Sequence, residues 1–332
     1  MKLSWQIVKF KLKETFSIAY GNYTSREALI VLLEKSGSIG YGECTSIDYY
    51  QISLSDFTII LDKIKTQIEK QNIVYPTDFY IFLLSLNLPS FLRSSLDCAY
   101  WDLFGKLEKK SVTELNTINN SILPESSLTI SIDTVENQIK RIEKSSWSKF
   151  KVKCNHFNEA DILKLSELNK DISMDSNGSF TKENCLFIED MEFILKFSYL
   201  EQPMQPGYEN YQVLNKNKFA NWMADEDCQD GASLHLLQNH YRSINIKLVK
   251  CGGLTPALGI ISNGRKLGFK IMIGCMTEST IGISASAVLA PLCDYADLDG
   301  ANLIANDIAK GSTIINGKII LSENHGLGIK IN

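Results

Sequence analysis

Eight short apolar segments recur along the second part of the chain at intervals of roughly 20 to 30 residues, the length of one strand–helix unit. Stretches with helical spacing separate them. Eight such units in a row are typical of a closed parallel barrel, so the sequence predicts an α/β protein with the (β/α)8 fold and an irregular last unit. The predicted strands lie at residues 128–132, 150–154, 172–177, 200–204, 222–227, 244–250, 270–276 and 295–300.

The first 120 residues have a different pattern. Runs of β-branched residues broken by Gly and Asn predict antiparallel hairpins, and apolar residues at helical spacing predict helices from about Leu54 to Leu107. The segment GSIGYGE at residues 37–43 fits a hairpin turn better than a dinucleotide-binding loop, because it does not open a helix. We expect an α+β domain over residues 1–120, a barrel over 121–305, and a C-terminal segment, 306–332, that returns to the first domain.

Composition and charge argue against several classes of protein. With 34 Lys and Arg against 38 Asp and Glu, the net charge is −4, so no broad basic surface is available for nucleic acids. No apolar run is long enough to span a bilayer and the N-terminus does not resemble a signal peptide, so we expect a cytoplasmic protein without a membrane partner. The eight cysteines and four histidines form no disulfide or zinc pattern.

Acidic side chains end three consecutive predicted strands. Asp175, Glu201 and Asp225, here called the acidic trio, occupy these positions. The carboxyl ends of barrel strands meet at one mouth, where the active sites of this fold lie. Three carboxylates that share a site repel one another unless a cation neutralises them. Oxygen ligands suit Mg²⁺, so the sequence predicts a magnesium ion at this mouth.

Lysines lie on the strands to either side of the acidic trio. Lys151 and Lys153 share one face of the preceding strand because they are two residues apart. Lys247 lies on the strand that follows the trio. A substrate held on the metal would therefore have one amine at each face.

The order of these motifs resembles that of the enolase superfamily, and within it the muconate-lactonizing-enzyme subgroup. The resemblance covers nearly the whole chain, since the first domain is similar to the capping domain of that family. Five motifs in order at barrel spacing are specific, although each one alone is weak. The motifs are KVK at 151–153, DSN at 175–177, EQP at 201–203, ADE at 224–226 and NIKLVKCGG at 245–253.

The resemblance implies a role for each of these positions. The acidic trio binds Mg²⁺, and Lys153 and Lys247 act as acid and base, assisted by Lys151. A proton leaves the carbon next to a substrate carboxylate, and an enediolate forms. Asn177 and Glu226 are expected to contact the ligands or the lysines without binding the metal.

Two further segments resemble the dipeptide epimerases of this subgroup: IGCMTESTIG at 273–282 and DLDG at 297–300. In that family an Asp-x-Asp pair holds the free α-ammonium of a dipeptide, which implies this role for Asp297 and Asp299. Glu278 is a further candidate for contact with the substrate.

A loop of the capping domain meets the second side chain of the substrate in the alanyl-glutamate epimerases. Here the loop is AYGNYTSREA at residues 19–28. The position that matches the arginine of those enzymes falls near Tyr23 or Thr24, and Arg26 lies close by. These three residues are predicted to contact the substrate. The second residue of the dipeptide could be acidic, apolar or small, and the sequence leaves this choice open.

The sequence thus predicts a Mg²⁺-dependent dipeptide epimerase that inverts the α-carbon of the C-terminal residue by 1,1-proton transfer between two lysines. An o-succinylbenzoate synthase or an N-acylamino-acid racemase would use the same metal and lysines. Their substrates lack a free ammonium, which would make Asp297 and Asp299 unnecessary. A non-catalytic barrel would show decay in the five motifs, and none is found. A homo-oligomer remains open.

Overall fold

An antiparallel sheet opens the chain. The computed structural model describes residues 1–18 and 21–332. Strands β1 (Lys2–Ile18), β2 (Gly21–Lys35) and β3 (Ser38–Thr45) pair in this order as two hairpins. The turn between β2 and β3 contains Gly37 at a φ of 80°, a conformation that glycine adopts without strain. The segment at 37–43 therefore lies in a hairpin, as predicted.

Helices cover one face of this sheet and complete the cap. The longest of them, α3, is buried over most of its length because it packs between β3 and helices of the barrel. Gly40 and Gly42 allow the close approach, since a Cβ at either position would overlap the α3 backbone at Ala99 or Ser95. The helices are α1 (Leu54–Glu69), α2 (Pro76–Ser85), α3 (Ser90–Glu108) and α4 (Val112–Leu115), after a 3-10 helix at Asp48–Tyr50.

Eight parallel strands form the barrel in chain order, each paired with the next. A parallel bridge between Ser126, just before the first of these strands, and Ala296 on the last one links the two ends of the sheet. The predicted barrel with an α+β cap is confirmed. The strands are β4 (Leu128–Ile130), β5 (Lys149–Lys153), β6 (Asp171–Asp175), β7 (Phe197–Glu201), β8 (Trp222–Ala224), β9 (Ser243–Ile246), β10 (Lys270–Gly274) and β11 (Tyr295–Asp297).

Helices of varied length connect the barrel strands. The predicted strand at 244–250 was too long, because β9 ends at Ile246 and a helical turn begins at Leu248. Among the described residues no α-helix follows β11, in line with the irregular last unit. The helices are α5 (Val135–Lys144), α6 (Glu159–Ser166), α7 (Lys182–Ile188), α8 (Tyr208–Tyr211), α9 (Leu234–Leu237), α10 (Leu248–Cys251), α11 (Leu254–Lys266) and α12 (Thr280–Ala287), with 3-10 helices at Glu192–Lys196, Ala290–Leu292 and Gly300–Leu303.

The C-terminal residues lie against helix α3 of the cap. The backbone N–H of Leu327 donates to Asp102 Oδ1 at 2.8 Å, and Lys106 Nζ donates to the carbonyl of Ile329 at 3.2 Å. The domain bounds at residues 120 and 305 stay a prediction. The strands here are β12 (Ala309–Lys310), β13 (Thr313–Ile315), β14 (Lys318–Ile320) and β15 (Lys330–Ile331).

Apolar side chains form one large core in and around the barrel and a second core between the cap sheet and its helices. The eight cysteines carry free thiols. In the part of the chain that the structure describes, no helix has the length and apolar character needed to cross a bilayer.

Candidate active site

The acidic trio lies side by side at the carboxyl ends of neighbouring strands. Asp175 is the last residue of β6, Glu201 is the last residue of β7, and Asp225 follows β8 directly. Asp175 pairs in register with Glu201, and Glu201 pairs with Met223, two residues before Asp225. All three are buried, with at most 1% of their surface exposed. Three buried carboxylates need positive charge close by, since burial otherwise favours their neutral forms.

Lys153 and Lys247 bind the two outer carboxylates of the trio. Lys153 Nζ donates to Asp175, and Lys247 Nζ donates to Asp225 Oδ2 at 2.7 Å. Lys153 ends β5, whereas Lys247 follows β9. Strands β5 and β9 are four apart in a barrel of eight, so they lie on opposite sides of it. The structure thus places one amine on each side of the mouth.

Lys151 lies among the carboxylates at the centre of the cluster. Its Nζ donates to Asp297 and lies 3.3 Å from Glu201 Oε2 and 3.7 Å from Asp175 Oδ2. Burial opposes the charge of this amine, but the carboxylates of Asp297, Glu201 and Asp175 raise the pKa of Lys151 well above its usual range. Lys151 is therefore held as a cation.

The electrostatic environment differs between the members of the trio. Burial and the neighbouring carboxylate of Asp175 raise the pKa of Glu201 to about 7, with Lys151 opposing the rise. Burial also acts to raise the pKa of Asp225, but Lys247 and Lys250 hold that pKa well below its usual range. Of Glu201 and Asp225, Glu201 is thus the carboxylate whose negative charge is less well balanced by the protein.

The donor atoms of the trio fit a hard divalent cation. They are all oxygen atoms, and Glu201 Oε2 is buried and accepts no hydrogen bond, although Lys151 Nζ lies 3.3 Å away. Among residues 1–18 and 21–332, no group of three or more His, Cys, Asp or Glu side chains is already arranged around one metal position. Lys151 Nζ instead lies near both Asp175 and Glu201.

Two residues that sequence reasoning missed hold the carboxylates in place. Lys250 Nζ donates to Asp225 Oδ1 at 2.5 Å and to the carbonyl of Asp225 at 2.6 Å. Asn245 Nδ2 donates to Glu201 Oε1 at 2.7 Å. Both residues lie in the segment NIKLVKCGG. A second lysine, three residues after Lys247 in a segment with no other charged residue, was the signal that could have identified Lys250.

Asp297 and Asp299 are brought together beside the lysines, but their partners differ. Asp297 accepts hydrogen bonds from Lys151 Nζ and, at 2.8 Å, from Ser127 Oγ. Asp299 accepts from the backbone N–H of Thr129 at 2.7 Å and from Thr129 Oγ1 at 3.3 Å. Burial and the charge of Asp297 raise the pKa of Asp299 to about 7. Asp297 is thus neutralised by a lysine, whereas Asp299 is oriented by neutral donors.

Asn177 and Glu226 lie next to the trio and the lysines, and their predicted supporting role stays a prediction. Asn177 Oδ1 accepts from Lys153 Nζ at 3.2 Å, and its Nδ2 donates to Glu226 Oε1 at 3.3 Å. The backbone N–H of Asn177 donates to Asp175 Oδ1 at 2.9 Å. Asn177 adopts a φ of 45°, which asparagine tolerates better than most residues. These bonds connect Lys153 and Asp175 to Glu226, which lies just beyond β8.

The cap closes over the barrel mouth and shares a cavity with it. From the barrel, the lining residues include Lys151, Lys153, Lys247, Asn177, Glu226, Asp297 and Asp299. From the cap, the lining consists mainly of aromatic and apolar side chains, which we call the cap wall: Phe16, Ile18, Tyr23, Arg26, Ile47, Tyr49 and Tyr50.

The predicted substrate contacts of the cap differ in their placement. Arg26 lies with its guanidinium carbon 4.1 Å from the centre of the Tyr23 ring, and its Nη1 donates to the carbonyl of Ser46 at 3.1 Å. Thr24 is exposed and lies outside the lining. The predicted loop is a strand from Gly21 onward, because it pairs with β1. Ala19 and Tyr20 lie outside the described residues.

Glu278 is buried beside the cavity without lining it. Its Oε1 accepts from the backbone N–H of Met276 at 3.1 Å. Burial and the carboxylate of Glu43 raise the pKa of Glu278 to about 8. Its contact with substrate stays a prediction.

The fold and the site together define a class of proteins. In this class a cap covers a parallel barrel, and carboxylates and lysines meet at the carboxyl ends of the barrel strands. Within that class the chain belongs to the enolase superfamily: the family model described as enolase C-terminal domain-like matches residues 134–332.

Similar proteins of known activity cover the full length of the chain. It is 34% identical over 338 residues to an L-Ala-D/L-amino acid epimerase of Maribacter sp., and 35% identical over 335 residues to one of Flavobacterium johnsoniae, with 100% of both chains covered each time. Among solved structures, the dipeptide epimerase of Enterococcus faecalis in complex with Mg and L-Leu-L-Tyr is 26% identical, covers 99% of this chain and 98% of that one, and has a TM-score of 0.87.

Proposed function

We propose that the protein is a Mg²⁺-dependent dipeptide epimerase that inverts the α-carbon of the C-terminal residue. The observation that carries this proposal is the placement of Lys153 and Lys247 at the carboxyl ends of strands that are opposite in the barrel. Inversion requires a base on one face of the carbon and an acid on the other. The epimerases to which the chain is similar over its full length support the assignment.

The acidic trio would hold the Mg²⁺ ion. When bound, Mg²⁺ stabilises the negative charge that develops on the substrate carboxylate. The trio offers buried oxygen atoms at one mouth, which suits this cation. Lys250 and Asn245 orient Asp225 and Glu201 through their hydrogen bonds. The presence of Mg in the similar Enterococcus faecalis enzyme supports this role.

The proton would be carried by the Nζ atoms of Lys153 and Lys247. One amine removes the proton from the α-carbon, and the other delivers a proton to the opposite face. Both side chains line the cavity, so the two can exchange roles when the reaction runs in reverse. Lys151 is held as a cation by three carboxylates and balances charge at the centre of the cluster.

The α-ammonium of the N-terminal residue would bind at Asp297 and Asp299. Because Lys151 already neutralises Asp297, Asp299 contributes the larger share of the attraction. Thr129 orients the Asp299 carboxylate. Substrates with a blocked amine lack the positive charge that this pair would bind.

The side chain of the C-terminal residue would face the cap wall. The aromatic and aliphatic groups there suit an apolar side chain. Arg26 adds a cation, but its guanidinium already packs on Tyr23 and donates to Ser46. We therefore expect apolar side chains to be accepted, and acidic ones to be bound through Arg26.

A substrate panel in D₂O tests the proposal. Purified protein with MgCl₂ is incubated with L-Ala-L-Xaa dipeptides and, separately, with N-acetyl and N-succinyl amino acids, and deuterium incorporation is followed by mass spectrometry. The proposal predicts deuterium at the α-carbon of the C-terminal residue of dipeptides. Incorporation into the N-acyl amino acids alone would identify an N-acylamino-acid racemase instead, and incorporation into neither class would contradict the proposal.

The binding partner that we expect for this site is its small-molecule dipeptide substrate. A cytoplasmic location, expected from the sequence, stays a prediction, and the oligomeric state stays open.

A further inference from the structure

A buried carboxylate of the cap binds the first turn of a barrel helix. Glu43 lies on β3 with 6% of its surface exposed. Its Oε1 accepts from the backbone N–H of Ser279 at 3.0 Å, its Oε2 accepts from the backbone N–H of Gly282 at 3.1 Å, and Ser279 Oγ donates to it as well. Ser279 is the residue that caps the N-terminus of α12. A carboxylate is favoured there because the helix exposes unpaired N–H groups and a positive dipole end.

The two segments joined by this contact both line the substrate cavity. On the cap side, β3 leads into Ile47, Tyr49 and Tyr50 of the cap wall. On the barrel side, the connection between β10 and α12 contributes Cys275, Met276 and Thr277, which we call the barrel wall. The contact therefore lies immediately behind both surfaces.

A second hydrogen bond joins the same two segments. Thr45 Oγ1, two residues after Glu43, donates to the carbonyl of Thr277 at 3.3 Å. Thr45 is fully buried. The position of the barrel wall relative to the cap wall is thus held at two points, one of them inside the lining itself.

Another buried carboxylate of the cap serves as a structural comparison. Asp102 on α3 accepts from the backbone N–H groups of Tyr41 at 3.0 Å and Leu327 at 2.8 Å. Like Glu43 it is buried and joins separate segments. Neither of these two hydrogen bonds reaches the connection between β10 and α12 that carries the barrel wall. Loss of Asp102 should therefore affect stability without moving either wall.

We infer that Glu43 is a positioning residue that sets the distance between the cap wall and the barrel wall, and so determines how tightly the substrate side chains are bound. This inference rests on the proposed function for its kinetic consequence. The proton-transferring lysines lie on β5 and after β9, outside the segments that Glu43 joins. Loss of Glu43 should therefore raise KM more than it lowers kcat.

The kinetic test compares Glu43→Gln with Asp102→Asn. Glutamine keeps the size of the side chain but replaces one accepting oxygen with an NH₂ group, so one backbone N–H at the start of α12 loses its acceptor. We expect KM for the best L-Ala-L-Xaa dipeptide to rise about tenfold in Glu43→Gln, with kcat changed by less than about threefold. Asp102→Asn should lower Tm and leave KM unchanged. An unchanged KM in Glu43→Gln, or an equal rise in both variants, would overturn the inference.

Amide hydrogen exchange tests the positioning role without substrate. In Glu43→Gln, peptides that cover residues 275–282 should exchange faster than in the wild-type protein, while those that cover α5 should not change. Wild-type exchange at 275–282 would refute the positioning role even if the protein is an epimerase. Absence of dipeptide turnover by the wild-type protein would instead refute the proposed function and leave this measurement decisive.

Thr45→Val keeps the inference testable if Glu43→Gln does not fold. Valine matches threonine in shape and removes only the hydroxyl that donates to Thr277. A rise of KM by a few-fold with unchanged kcat supports the inference, and unchanged KM together with wild-type exchange at 275–277 contradicts it.

Discussion

The barrel mouth and the cap wall border the same cavity but are built differently. At the mouth, the acidic trio, Lys153 and Lys247 sit at or just beyond the ends of parallel strands, and hydrogen bonds connect them to their neighbours. The cap wall comes from a hairpin whose register shifts between Lys11 and Phe16 and from the short helix after β3. The mouth thus has the rigid arrangement that proton transfer requires. The cap wall, by contrast, is the part of the site that can adapt to different substrate side chains.

Removal of the metal should have the largest effect, because the proposed mechanism requires a cation on the acidic trio to stabilise the charge that develops on the substrate carboxylate. Dialysis against EDTA should lower dipeptide turnover by about a thousandfold or more, and added MgCl₂ should restore it. Glu201→Gln should weaken Mg²⁺ binding in isothermal titration calorimetry, since it removes a charged ligand. Turnover that persists in EDTA would contradict the assignment of the trio.

Asp299→Asn should have the next largest effect. Loss of a charge-assisted hydrogen bond to the substrate ammonium should lower kcat/KM for dipeptides by roughly 10- to 100-fold. The variant should also discriminate less between a free and an N-acetylated dipeptide. Asp190→Asn, on the surface beside Lys218, is the matched control and should behave like the wild type. Equal discrimination in Asp299→Asn and wild type would exclude the ammonium contact.

The position of the cap depends on packing, which Gly42→Ala tests. A Cβ at Gly42 would overlap the backbone of Ser95 on α3, so the free energy of unfolding should fall by about 1–3 kcal/mol in urea denaturation. Gly259→Ala is the control: its Cβ would meet nothing within 4 Å, and it lies inside helix α11. That variant should be stabilised by up to about 1 kcal/mol. Equal stability of the two variants would rule out tight packing between β3 and α3.

Arg26→Met should have the smallest effect on the reaction itself. Arg26 is engaged by Tyr23 and Ser46, so its loss should shift the preference between L-Ala-L-Glu and L-Ala-L-Leu by no more than about tenfold, in favour of the apolar substrate. The ratio of kcat/KM values for the two dipeptides measures this shift. A drop of equal size for both substrates would show that Arg26 supports the cap and does not select the side chain.

The sequence was sufficient to place the eight barrel strands to within a few residues, although the strand predicted at 200–204 is β7 at Phe197–Glu201. Strand spacing and the position of each charge relative to the apolar run are local features, so Asp175, Glu201 and Lys153 could be placed without tertiary information. Lys250 was missed because its position on helix α10, which brings its amine to Asp225 beside that of Lys247, is not visible in the sequence.

The cap contacts could not be predicted for a different reason. Glu43 appears in sequence as an ordinary strand residue, and its partner Ser279 lies 236 residues away. The predicted loop at 19–28 proved to be a strand from Gly21 onward, because its pairing with β1 continues past a register shift. The contact between Glu43 and Ser279 depends on how the cap docks on the barrel, which no local pattern encodes.

Hydrogen–deuterium exchange at the α-carbon of the substrate tests the two-lysine mechanism most directly. In D₂O with MgCl₂, proton NMR follows L-Ala-L-Xaa and L-Ala-D-Xaa separately with Lys153→Ala and with Lys247→Ala. Neither variant should invert the substrate, and each should exchange the α-proton of only one diastereomer, a different one for each variant. Inversion by either variant, or exchange of the same diastereomer by both, would contradict lysines that act from opposite faces.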